Sequence, residues 1–213
     1  MKIQRIKKDY DAVMSAPRYK RKPPKKVALF WRVLIRILTV FGMAGTQFTF
    51  ETEGLEDLKD QPCLVLMNHS CFLDMQIAHR VMFPRPFNII TTSDAFVGLW
   101  GLMNWVLRQI GCFPTQKFVT DLRSIQDMQY CFKTLKTSVL MYPEASYSFD
   151  GTATPLPRKM GVLLKKHDVP VVMIETFGAF ARNPLYNELQ IRKDQKVSAK
   201  VRVLFTQEEI REK

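Results

Sequence analysis

The chain has 213 residues, 46% hydrophobic and 24% charged, enough for one globular domain with a substantial core. Its four cysteines, Cys63, Cys71, Cys112 and Cys131, show neither CxxC pairing nor metal-ligand spacing, which excludes a zinc site of the usual pattern and fits reduced thiols. The net charge is +12, and residues 1–36 carry most of it, with 12 Lys or Arg against Asp9 and Asp11; such an end faces a polyanion, either nucleic acid or anionic lipid.

Met1 to Lys26 is polar, basic and interrupted by Pro17, Pro23 and Pro24, which predicts a flexible or loosely docked arm. From Val27 to Phe41 apolar residues run almost unbroken. At helical spacing Arg32, Arg36 and Thr39 share one narrow strip, and the remainder forms a broad apolar face. A helix of this length spans about 22 Å, short of the roughly 30 Å hydrocarbon thickness of a bilayer. The expectation is an interfacial helix, in which Arg32 and Arg36 snorkel to headgroups while Phe30 and Trp31 enter the acyl region. The alternative is an amphipathic helix packed on its own domain. The apolar helix after the basic arm, and the lack of an aromatic-basic binding motif, favour an anionic membrane surface over nucleic acid. A cleaved signal peptide fits poorly, because the basic region is too long and the apolar run contains two Arg. Positive charge beside such a helix favours the cytoplasmic face of the cell membrane, with peripheral or monotopic attachment. Residues 1–44 are therefore read as basic arm and interfacial helix, and 45–213 as a separate domain.

Gln47 to Glu51 alternates as a short strand, and Asp60-Gln61-Pro62 breaks before a buried strand from Cys63 to Met67. A helix follows from Asp74 to about Met82, then Pro84-Arg85-Pro86 interrupts, and Phe87 to Thr92 reads as a strand. Ser93 or Asp94 is placed to cap a helix from Ala95 to Gln109 that is apolar nearly all round. Asp121 to Thr137 has helical spacing of Leu122, Ile125, Met128, Phe132 and Leu135. Val139 to Tyr142 is a strand, Arg158 to His167 a short helix and Val169 to Thr176 a strand. Gln190–Lys193 and Lys196–Phe205 resemble a closing hairpin, and Gln207 to Lys213 turns helix-like where the chain stops, compatible with a longer natural protein. Strands alternating with helices predict an α/β layered fold with a mostly parallel central sheet flanked by helices, preceded by the N-terminal amphipathic membrane helix.

Two strand ends carry the chemistry. Asn68-His69-Ser70-Cys71-Phe72-Leu73-Asp74 follows the first buried strand, and Tyr142-Pro143-Glu144-Ala145-Ser146 follows Val139–Met141. A His at a strand end, with an Asp five residues on, can act as a base whose tautomer the carboxylate fixes. Spacing alone equally allows a hydrogen-bonded His that caps a helix. In an α/β sheet, sites form at the carboxyl ends of strands, so His69 and Glu144 can meet across many residues. Cys71 offers a thiol nucleophile, but two residues from His69 across a turn is poor geometry for activation. His79 and His167 read as ordinary packing or surface histidines.

The pairing of these stretches resembles the glycerolipid acyltransferases, the family containing lysophosphatidic acid acyltransferase. Asn68, His69 and Asp74 match its Asn-His-x-Ser-x-x-Asp block, with Cys71 where Ser is usual. Gly111 to Lys117 matches Gly-x-x-x-x-x-Arg with Lys at the last place, and Pro143, Glu144 and Ser148 match Pro-Glu-Gly-Thr-Arg-Ser with Ala145, Ser146 and Tyr147 in the middle. Val169-Pro170-Val171-Val172 matches the fourth block. The resemblance implies an O-acyltransferase that uses acyl-CoA or acyl carrier protein as thioester donor, no cofactor, and lysophosphatidate as lysophospholipid acceptor. His69 and Asp74 would be the catalytic pair, with oxyanion donors near Asn68 or Ser146. Lys117 would bind the acceptor phosphate, Arg158 and Lys159 would restore the charge lost at Tyr147, and Glu144 and Ser146 would contact the acceptor. Another lyso-lipid acceptor, or a catalytically degenerate membrane-binding module, remains the alternative.

Overall fold

The apolar runs and amphipathic stretches assemble into one seven-stranded sheet with helices against it. The computed structural model describes residues 22–96, 102–116, 121–148, 150–152, 156, 160–182, 192 and 194–212. The strands are β1 (Phe48–Glu53), β2 (Leu64–Met67), β3 (Phe87–Thr92), β4 (Cys112–Thr115), β5 (Ser138–Met141), β6 (Val171–Phe177) and β7 (Val197–Phe205). Their order across the sheet is β1-β7-β6-β2-β5-β3-β4. From β6 to β4 all neighbours are parallel; β7 runs antiparallel to β6 and parallel to β1.

All four residues of β2 are buried, as a central strand covered on both faces requires. Val65 is in register with Leu140 on one side and Val172 on the other, so the carboxyl ends of β2, β5 and β6 come out side by side. At that edge Asn68 meets Thr176 and His69 meets Glu144.

Two pairings differ from expectation. The strand over Val197–Phe205 is not half of a hairpin with 190–193: β1 and β6 occupy both of its edges. Residues 190, 191 and 193 lie outside the described residues. The strand β4, absent from the sequence reading, holds Pro114, which is tolerable because β4 closes the sheet at its edge. Gly111, just before it, has φ +84°, and a Cβ there would meet the Phe87 carbonyl oxygen at 3.1 Å.

The helices α1 (Leu29–Gly42), α2 (Leu73–Met82), α3 (Leu102–Gln109), α4 (Leu122–Tyr130), α5 (Met160–His167), α6 (Ala179–Arg182) and α7 (Gln207–Glu212) accompany the sheet. The long helix expected from Ala95 appears as a 3-10 turn over Ser93–Phe96 and as α3, with 97–101 outside the described residues. Asp121 caps α4 by accepting from the backbone N–H groups of Arg123 and Ser124. The helical path then widens to a π turn over Cys131–Leu135 and stops at left-handed Lys136.

The strip on α1 faces the other way from the expectation. Arg32 Nη1 donates to the Pro84 carbonyl at 2.7 Å and Arg36 Nη1 to that of Arg80 at 3.4 Å, so neither is directed to headgroups. The reason is local: the last turn of α2 leaves the Arg80 carbonyl without an intrahelical partner at the negative end of its dipole, the Pro84 carbonyl follows in the turn just after it, and a guanidinium meets each. Thr39 on the same strip is buried and the two arginines are half-buried, while Phe30 and Phe41 stand 67% and 72% exposed on the opposite side. Trp31 packs edge-on against Trp105 of α3. Among the described residues no helix is long and apolar enough to cross a membrane.

Candidate active site

The turn after β2 folds back so that Asp74, in the first turn of α2, points its carboxylate into the loop that precedes it. Oδ2 accepts from the backbone N–H groups of Ser70 at 2.6 Å and Cys71 at 2.9 Å, and Oδ1 accepts from Ser70 Oγ at 3.0 Å. These donors compensate the burial of a carboxylate with no exposed side-chain surface, and a negative charge at a helix N-terminus is favourable in itself. The same Oδ2 lies 3.0 Å from His69 Nδ1. A carboxylate only accepts, so Nδ1 donates and Nε2 is left as the acceptor, the tautomer a general base needs.

Both faces of the imidazole are covered. Tyr142 stacks on one at 3.7 Å between centroids and 17° between planes, and Tyr147 covers the other at 3.7 Å and 30°. Phe72 meets Tyr147 edge-on at 5.3 Å. The His69 side chain keeps 15% of its surface exposed. The main chain of His69 is tied as well: its N–H donates to Glu144 Oε1 at 3.3 Å, and its carbonyl accepts from the Ser148 N–H at 2.7 Å. Neither tyrosine was singled out for this role from the sequence, and no local signal marks it, because the stack forms only where two loops about 70 residues apart cross.

Asn68, expected at the substrate, is committed to the fold. Its Nδ2 donates to the Thr176 carbonyl at 3.2 Å and its Oδ1 accepts from the Thr176 N–H at 2.7 Å, fastening the end of β2 to that of β6. Glu144 and Ser146 stand on the same side as His69; Ser146 is exposed, and its Oγ donates to the Glu144 carbonyl at 3.5 Å. Ala145 between them has φ 56°, the left-handed conformation that glycine adopts most easily. Ser148 Oγ accepts from Gly151 N and donates to the Thr152 carbonyl, closing the loop that follows. Lys117, Arg158 and Lys159 lie outside the described residues.

The acid–base state of the surroundings argues against a thiol mechanism. Burial, and then the Asp74 charge, push the Cys71 thiol up to about 12, so it stays protonated beside the carboxylate. Burial likewise raises Tyr147 to about 12 and Tyr142 well above its ordinary value, with Asp74 the next cause in each case. The Tyr142 hydroxyl is buried without a hydrogen-bond partner among the described residues. His79 packs on Phe87, and His167 Nδ1 donates to Gln129 Oε1 at 2.9 Å. Burial lowers both to about 4, so they are packing histidines held neutral. Among the described residues no three His, Cys, Asp or Glu side chains group so as to hold a metal ion.

Comparison with known proteins adds three findings. The family described as "Acyltransferase" matches residues 49–174. The chain is 28% identical over 171 residues to a chloroplastic 1-acyl-sn-glycerol-3-phosphate acyltransferase of Brassica napus, covering 78% of this chain and 46% of that protein. It thus spans about half the length of that curated relative. Its fold matches the crystal structure of PlsC, the 1-acyl-sn-glycerophosphate (LPA) acyltransferase of Thermotoga maritima, with a TM-score of 0.61 at 19% identity, over 85% of this chain and 73% of that one.

Proposed function

The chain belongs to the acyltransferase family, and on that premise we propose that it is an O-acyltransferase of phospholipid synthesis, moving a fatty acyl group from acyl-CoA or acyl carrier protein to the hydroxyl of lysophosphatidate. The observation that supports this reading most directly is the 3.0 Å contact between His69 Nδ1 and the buried Asp74 carboxylate at the end of a central strand. Nε2 of His69 takes the proton of the acceptor hydroxyl as its oxygen adds to the thioester carbonyl carbon. The adduct collapses with breakage of the C–S bond, and the thiol leaves with the proton that His69 returns. Asp74 holds the imidazole and stabilises its charged form between those two events. Backbone N–H groups near Ser146 meet the oxyanion. No covalent acyl-enzyme and no cofactor enter these steps.

Lys117, Arg158 and Lys159 are assigned to the acceptor phosphate, and Glu144 to the acceptor or to the basic side chains around it. Lysine supplies a point charge where arginine would give a fork, so the phosphate is read less strictly by geometry. The exposed face of α1 rests on the cytoplasmic face of the cell membrane, and the basic arm gathers anionic lipid there.

Purified protein incubated with acyl-CoA and lysophosphatidate tests the reading, with free thiol followed beside a His69→Ala control. Release that depends on the acceptor and vanishes in the control is the expected result. No release with either donor carrier, across a panel of lyso-lipids, would leave a membrane-binding module without catalysis.

A further inference from the structure

The imidazole of His69 is held on every side but one. Nδ1 is engaged by Asp74, the main chain by Glu144 and Ser148, and the two ring faces by Tyr142 and Tyr147. A base held only through Nδ1 can still swing its plane about the bond to Cβ. Two aromatic rings at 3.7 Å remove that freedom and leave the Nε2 edge as the approach for a reacting hydroxyl. Tyr142 comes from the end of β5 and lies deep; Tyr147 comes from the rim and is itself braced by Phe72. Both rings turn their electron-rich faces to an imidazole that becomes cationic once it has taken a proton.

We infer that Tyr147 is a positioning residue for acyl transfer: with Tyr142 it clamps His69 face to face, aims Nε2 and stabilises the imidazolium formed in the reaction. This rests on the acyl-transfer reading of the site. The role belongs to the ring, not to the hydroxyl, so phenylalanine should serve and an aliphatic side chain should not.

Two measurements test the clamp. The chain has three histidines, so the His69 ring protons are assignable by their loss in His69→Ala. Rings on both faces should shift them strongly upfield in the wild-type protein, and Tyr147→Leu should remove a large part of that shift. In turnover, Tyr147→Leu should lower kcat about tenfold with the acceptor KM unchanged, the scale of losing one desolvated cation–π contact, and Tyr147→Phe should rescue the rate. An acceptor KM that rises at constant kcat would show instead that Tyr147 touches the acceptor, and the inference would fall. Active wild-type protein with unshifted His69 protons overturns the clamp alone. Shifted protons in a protein that transfers no acyl group overturn the acyl-transfer reading and the role of Tyr147 with it.

Discussion

Asn68 grips the backbone of Thr176 at both of its polar groups, so the turn that carries His69 is fastened across the sheet to the end of β6. The side chain beside His69 therefore holds the loop. Replacing Asn68 with Asp keeps an acceptor for the Thr176 N–H but sets a carboxylate against the Thr176 carbonyl. The expected loss of stability is about 1–3 kcal/mol, read from urea unfolding. The acceptor KM should stay put; a selective rise in KM with unchanged stability would return Asn68 to the substrate.

Asp74→Asn with its oxygen in the place of Oδ2 still accepts from Ser70 N, Cys71 N and His69 Nδ1, but it sets an amide against Ser70 Oγ and removes the negative charge. The imidazole then loses the negative charge that steadies its protonated form. A fall in kcat of about 10³–10⁴ is expected, on the scale seen when a triad carboxylate is neutralised, with the far-ultraviolet circular dichroism preserved. A variant with near-normal kcat would remove the His69–Asp74 pair from the mechanism.

Ala145 sits at φ 56° with a Cβ that this conformation disfavours. Ala145→Gly relieves that strain at some cost in unfolded-chain entropy, so the protein should gain about 0.5–1 kcal/mol. The urea midpoint reports it. A fall in the midpoint would mean that the methyl group contributes packing that outweighs the strain.

His79 and His167 are held neutral by burial, each lowered to about 4 from the usual 6.5. Since the unfolded chain takes these protons first, both histidines favour the folded state fully above pH 6.5. That contribution is lost as the pH falls from about 6.5 to about 4, and no further loss arises from them below it. The unfolding free energy should drop over this window by an amount on the order of a few kcal/mol. Imidazole signals of these two residues that titrate near 6.5 in the folded protein would contradict the account.

Phe30 and Phe41 project from the side of α1 turned away from the domain. Substituting both with Asp removes two large apolar groups from the proposed contact with lipid. Co-sedimentation with vesicles containing anionic lipid should weaken by on the order of tenfold per residue, with the melting temperature unchanged. Retained binding would place the contact with lipid elsewhere.

What the amino-acid order reveals here follows from where each signal resides. The central strands were legible because Leu64–Met67 and Val171–Phe177 are short apolar runs bounded by breakers, the pattern of a strand covered on both faces. Partnering was less legible: Val197–Phe205 was recognisable as a strand, but which strands flank it depends on where the chain returns. The edge strand Cys112–Thr115 is brief and contains proline, so its pattern merges with the loop. His69 and Asp74 were readable because both lie in one turn, whereas the Tyr142–His69–Tyr147 stack needs two loops to cross. Periodicity marked the polar strip of Arg32, Arg36 and Thr39; it carries no information on which surface will receive it.

The helix α2 joins two things that might otherwise move separately. Its first turn holds the Asp74 carboxylate, and at its other end the arginines of α1 meet the Arg80 carbonyl and that of Pro84 in the turn beyond. A ten-residue helix is a stiff rod of about 15 Å. Whatever surface α1 lies on, the His69 imidazole is therefore carried at a set height above it, in the way a spacer fixes the depth of a tool.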